Sequence, residues 1–195
     1  MTNLKKINQI LAADHDVSKI DPANDQIWEF STETGEPPAL ALGSTYGLRA
    51  FGMRVFPRFQ NGRISVTDPS AFFEYPTVLY SAPNFIHIHF SPFNFIDVNL
   101  RVWVPTSQVV VGQVNLDLKG DQPEVMAMEW VAMLSPFPGG TIMTAMDYSI
   151  NKILAGKSKN LEPVFLLTGA PRAGLSSNPG LGVTISLRPG LPRQF

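Results

Sequence analysis

Cysteine is absent from the 195 residues, which excludes a disulfide framework, thiolate zinc sites and a cysteine nucleophile together. Charge is scarce: Asp, Glu, Lys and Arg make up 16% of the chain, against about a quarter in ordinary soluble domains. The formal net charge is -1 and no basic run occurs. A nucleic-acid partner is therefore not expected, since phosphate recognition needs clustered Lys and Arg. No apolar run approaches the ~20 residues of a membrane span, and MTNLKKINQILAADHD lacks the apolar core of a signal peptide. The expectation is a cytoplasmic chain with no membrane partner. Patterns of the G-x-S-x-G, Gly-x-Gly-x-x-Gly and Walker types are missing too, so Gly139-Gly140 reads as a turn rather than a phosphate cradle.

Abundant instead are proline (17), glycine (15) and phenylalanine (13), as in a turn-rich chain with an aromatic interior and one large β-domain. The organising stretch is Asn84 to Leu118. Phe85, His87 and His89 share one face of FIHIHF, and Ile86, Ile88 and Phe90 share the other. After the turn at SPFN, the residues Ile96, Val98, Leu100, Val102 and Val104 alternate with Asp97, Asn99, Arg101 and Trp103. A third strand follows Pro105 to Ser107, with Val110, Val114, Leu116 and Leu118 inward and Gln113, Asn115 and Asp117 outward. This is an antiparallel meander with one wet face. EVMAMEWVAMLSP, with Met126, Met128, Trp130, Ala132 and Leu134 in phase, is expected to add its fourth strand.

Elsewhere Leu4, Ile7 and Leu11 at helical spacing predict a short amphipathic helix over residues 3–13, so residues 1–25 read as a helix and polar lead-in and 26–195 as the folded domain. Short strands are expected at QIWEF, ALALG, TVLYS, VFLLTG and LGVTISL. Asn61-Gly62 signals a hairpin, SAFFEYP a single helical turn, and TIMTAMDYSINKILAG either a strand pair or a helix, with strands preferred. RPGLPRQF shows no recognisable closing element and suggests a chain cut from a longer one. About ten strands with short connections imply an all-β, two-sheet antiparallel β-sandwich with at most one or two short helices.

Catalytic constellations are not readable. His87 and His89 form a His-x-His pair on one strand face, yet Ser91, Pro92, Phe93 and Asn94 follow where a metal site needs a carboxylate, and the remaining histidine, His15, lies in the polar lead-in. Half-buried strand histidines are the simpler reading. Asp68, Asp97 and Glu129 offer no spacing that pairs them for acid and base work. No catalytic residue, metal or cofactor is assigned. The stretch from Tyr46 to Phe59 interleaves aromatics with Arg49, Arg54 and Arg58, and is a candidate contact surface together with Trp103. In the competing reading Phe56 and Phe59 belong to the core, and Arg54 and Arg58 lie on the outer face of an edge strand.

Taken in order, GLRAFGMRVFPRF, DPSAFF, the meander and EWVAMLSP resemble a known pattern. It is that of the N-terminal, supersandwich-like β-sandwich domain preceding the helical-toroid catalytic domain in bacterial glycoside hydrolases related to glycogen-debranching enzymes and glucosidases. The resemblance is sharpest at Met53 to Arg58, Ser91 to Phe93 and Trp103 to Ser107, and runs from about Leu40 to Leu187. It implies a non-catalytic module, because in such enzymes the reacting carboxylates sit on a helical barrel that this chain does not contain. The implied partner is that catalytic domain, in cis or in trans, with an oligosaccharide as a second partner and Arg54, Arg58 and Trp103 on the contact surface. Two other readings stay open: a stand-alone carbohydrate-binding sandwich, and a metal-dependent β-barrel enzyme built on His87 and His89.

Overall fold

Alternation of apolar and polar side chains over much of the sequence dictates strands, and strands are what a computed structural model of the chain contains. It describes residues 6–13, 27–32 and 35–195. The strands are β1 (Asn8–Leu11), β2 (Trp28–Ser31), β3 (Ala41–Ser44), β4 (Gly52–Asn61), β5 (Ile64–Val66), β6 (Glu74–Ala82), β7 (Phe85–Ser91) and β8 (Ile96–Thr106). After them come β9 (Val109–Leu118), β10 (Glu124–Ser135), β11 (Thr141–Tyr148), β12 (Asn151–Lys157), β13 (Val164–Leu166), β14 (Arg172–Ala173), β15 (Gly180–Leu187) and β16 (Arg193–Gln194). Asp68 caps a single 3-10 turn, Pro69–Ala71, by accepting from the Ser70 amide at 2.8 Å.

Three antiparallel sheets result. A five-stranded sheet has the order β16-β9-β8-β7-β6, and an eight-stranded sheet the order β1-β2-β3-β4-β10-β15-β14 with β5 on the end of β4. Their inner faces share one core. Ile86, Ile88, Phe90, Val98, Leu100, Val114 and Leu116 come from the first sheet, and Met53, Phe59, Met126, Met128, Leu134, Leu181 and Ile185 from the second. Phe59, Phe72 and Phe90 interlock at its centre, with ring centroids 5.3 to 6.1 Å apart. Each such buried ring contributes on the order of 1.5–3 kcal/mol by leaving water. The β-sandwich inferred from the sequence is therefore the architecture of the molecule. The third sheet, β11-β12-β13, is an arm joined at the end of β10.

The meander from β7 to β9 follows the predicted register, with Phe85 opposite Trp103, His87 opposite Arg101, and Arg101 opposite Gln113. The predicted fourth strand is corrected. β10 crosses to the opposite sheet and pairs with β4 and β15. The reason lies on its second face, where Glu129 and Val131 are buried as well; a strand apolar on both sides belongs in the middle of a covered sheet. The edge beside β9 is taken instead by β16, and Phe195 exchanges two 3.0 Å backbone hydrogen bonds with Val114. RPGLPRQF thus contains a closing strand that its composition does not announce.

The N-terminal helix is corrected too, within residues 6–13. Asn8–Leu11 is a strand paired with Trp28–Ser31. Ile7 and Leu11 are buried while Ile10 is exposed. A spacing of four fits one helical turn and is also a multiple of the strand period of two, so the pattern alone does not separate them. The rest of the predicted helix and lead-in, including His15, lies outside the described residues.

Candidate binding surfaces

β4 lies between β3 and β10, so it is an inner strand of its sheet and not an edge strand. Met53, Val55 and Phe59 point to the core, which leaves Arg54, Phe56 and Arg58 on the outer face. That face is covered in part. Phe56 and Val131 are closed over by Ala39 and Ala41 as a small second core. Arg54 donates to the carbonyls of Glu36 and Pro37, both at 3.1 Å, and ties down the turn before β3. Arg58 Nε lies 2.9 Å from Glu129 Oε2, although the N–H is not aimed along that line, so charge rather than an aligned hydrogen bond holds the pair. Arg58 also donates to the carbonyl of Leu175 at 3.1 Å, and the Ser176 hydroxyl donates to Glu129 Oε1 at 3.1 Å. The segment around Leu175 therefore folds over the pair. Gly180 and Gly182 make this possible: a Cβ on Gly180 would come within 2.7 Å of Glu129 Oε1, and one on Gly182 would collide with Leu175. Both arginines hold the chain's own loops.

Trp103 is on the other side of the molecule. It projects from the outer face of the five-stranded sheet, opposite Phe85 on one neighbour and Val111 on the other. Arg54 and Arg58 do not share a surface with it. A bulge in β6 adds a third ring. Val78 pairs with Ile88 and Tyr80 with His87, so two residues face one and Tyr80 is turned outward, its ring 5.7 Å from Phe85. The next row is polar, with His87, Arg101 and Gln113 side by side. Arg101 donates to Gln113 at 3.3 Å, and His87 Nε2 lies 3.3 Å from Asn99 Oδ1.

At the far end of this face is a knot of charge. Lys119 Nζ sits 2.8 Å from Glu74, 2.9 Å from Asp97 and 3.0 Å from Ser91 Oγ, and His89 Nε2 is 2.8 Å from Asp97. Burial works to raise the Asp97 carboxyl, but hydrogen bonds from Lys119, His89 and Ser91 together hold it below the ordinary range. Burial likewise works to lower Lys119, and the hydrogen bonds to Glu74 and Asp97 outweigh it, so the ammonium is favoured. Glu74, His89 and Asp97 bring ligand atoms within 4.8 Å of one another, but Lys119 already supplies the cation among them. His87 turns to Asn99 instead, so the two histidines do not converge on one point.

The arm forms the third surface. One face of it, through Leu154 and Phe165, packs on the core. The opposite face carries Met146, Ile153 and Leu166 in one cross-strand row, with Val164 and Tyr148 beside them; Ile153 is buried and the other four are exposed. Leu166 is 66% exposed, and Ile150 at the hairpin tip is 95% exposed. This aliphatic surface is the feature that sequence reasoning missed. Its signal is the presence of apolar residues in both phases of TIMTAMDYSINKIL, which fits a strand that is covered on both sides. No protein-family model and no curated protein matches this chain.

Proposed function

We propose that this chain is a cytoplasmic, non-catalytic β-sandwich module of a glycoside hydrolase that packs against a helical-toroid catalytic domain, in cis or in trans. The observation that carries the reading is the outer face of the arm. Met146, Tyr148, Ile150, Val164 and Leu166 stand exposed on one sheet, and exposed apolar side chains gathered in this way are what a protein partner covers. The docking surface thus moves away from Arg54 and Arg58, which are engaged within the sandwich, to β11–β13. Glu129 is closed under the Leu175 segment, and Asp97 is bound to Lys119.

The test begins with the mass of the native gene product in its source cells. A product several hundred residues longer with a helix-rich remainder supports the reading. With that remainder expressed as a separate polypeptide, Met146→Lys/Leu166→Lys should abolish co-purification of the two parts. A native product ending near Phe195 that captures no helical catalytic chain would sink it.

A further inference from the structure

We infer that the outer face of the five-stranded sheet is a binding platform for an uncharged oligosaccharide, a site independent of the docking arm. Two open surfaces among the described residues differ in kind. The arm presents Met146, Ile150, Val164 and Leu166 with a single ring, Tyr148, a mainly aliphatic set that complements a protein. The sheet face presents three aromatic rings, Tyr80, Phe85 and Trp103, next to a row of planar hydrogen-bonding groups, His87, Arg101 and Gln113. Flat rings with polarised edges stack against the C–H face of a pyranose. Imidazole, guanidinium and carboxamide groups supply donors and acceptors in fixed planes for its equatorial hydroxyls.

Three details support a built site. The β6 bulge brings Tyr80 outward, and without it Tyr80 would pair with Ile86 and point to the core. Bonds at 3.3 Å from Arg101 to Gln113 and between His87 and Asn99 hold the polar groups in place before any ligand arrives, which lowers the ordering cost of binding. Phe85 and Trp103 stand directly opposite on adjacent strands about 4.8 Å apart, a step close to one sugar unit, and Tyr80, in the His87 row, brings its ring within 5.7 Å of Phe85. Glu74, Asp97 and Lys119 are gathered at the other end of the sheet and pair with one another there. The platform itself carries Arg101 as its one fixed charge, which suits a neutral glycan.

The experiment is titration of the 195-residue chain with maltoheptaose, cellohexaose, xylohexaose and glycogen, by calorimetry and by tryptophan fluorescence. Trp28 is 3% exposed and in the core, and Trp130 packs beside Phe165, so a fluorescence change on binding reports on Trp103. The expected result is saturable binding of at least one of these glycans. Trp103→Ala and Arg101→Ala should each weaken it by about tenfold, the equivalent of ~1.4 kcal/mol, with the circular dichroism spectrum unchanged. Met146→Lys/Leu166→Lys should bind the glycan as the unaltered chain does, which separates this site from the docking surface. Absence of binding to all four glycans, with the oligosaccharides at about 10 mM and glycogen at about 10 mM in glucose units, a concentration that reveals even very weak affinity, overturns the proposal. Binding that survives both Trp103→Ala and Arg101→Ala overturns the assignment of the face.

Discussion

Arg58 is the residue on which sequence and structure disagree most usefully, and its replacement has a magnitude that can be worked out. Glu129 is 2% exposed, Arg58 22%, and the two lie 2.9 Å apart. In Arg58→Met the carboxylate keeps only the Ser176 hydroxyl as a polar partner, while Gly180 lies flat against it. Removing one member of a buried pair costs about 3–5 kcal/mol; the partial exposure of Arg58 puts this case at the lower end, about 3 kcal/mol, or roughly 6–12 °C in Tm for a chain of this size. Glu129→Gln keeps the shape and leaves Arg58 with the Leu175 carbonyl and solvent, so it costs about 1–1.5 kcal/mol. In the double variant no charge is stranded, and the cost returns to about 2 kcal/mol instead of the sum of roughly 4. Urea unfolding of the four proteins gives the coupling directly. Additivity within about 0.5 kcal/mol would refute the buried pair. A loss of partner docking in Arg58→Met with stability unchanged would return Arg58 to the contact surface.

The charge knot predicts a pH dependence of definite sign. A depressed carboxyl contributes stability in full above its unfolded-state pKa of about 3.9 and loses it as pH falls through the lower folded value. Asp97→Asn should therefore be less stable than the parent at pH 7, with the gap closing in acid; urea midpoints that differ by a constant amount from pH 7 to pH 2 would contradict this. Lys119 has the opposite sign: its contribution is complete at neutral pH and is lost as pH rises through its raised folded value, so Lys119→Met should flatten the alkaline limb of the same curve. On the arm, Met146→Lys and Leu166→Lys should shift unfolding midpoints by no more than about 0.5 kcal/mol, since exposed positions carry little stability. Gly140→Ala should behave differently. Its Cβ would collide with the Lys157 carbonyl at the base of the arm, so a cost of about 1–3 kcal/mol is expected, together with faster amide exchange confined to β11 and β12.

The inner faces are legible in the sequence because they obey one rule. Ile96, Val98, Leu100, Val102 and Val104 alternate with polar residues and all reach the core, as do Leu181, Val183, Ile185 and Leu187. The rule says nothing about which sheet a strand joins, and β10 shows why. Its core-facing residues look like another meander strand, and only the burial of Glu129 by a loop more than forty residues away in sequence, with Ser176 47 residues further on, reveals its central place. β16 has no alternation to read because it is two residues long. In β1, apolar residues four apart satisfy two periodicities at once.

The outer faces follow a different logic, and there the departures from alternation carry the information. Arg54 and Arg58 look like contact residues in sequence because arginine and aromatics adjoin, yet Arg54 donates to the Glu36 and Pro37 carbonyls and Arg58 to the Leu175 carbonyl, and a partner that took those donors would remove them from the fold. Trp103 and Tyr80 face outward from opposite sides of Phe85, and only the bulge in β6 lets Tyr80 do so. In the arm, Met146, Ile153 and Leu166 form a row whose other side is already committed to Leu154 and Phe165 in the core. On that second face Ile153 is buried while Met146 and Leu166 stay exposed. Replacing the two exposed members, Met146 and Leu166, by lysine leaves the buried Ile153 in place, so the effect falls on association and not on folding.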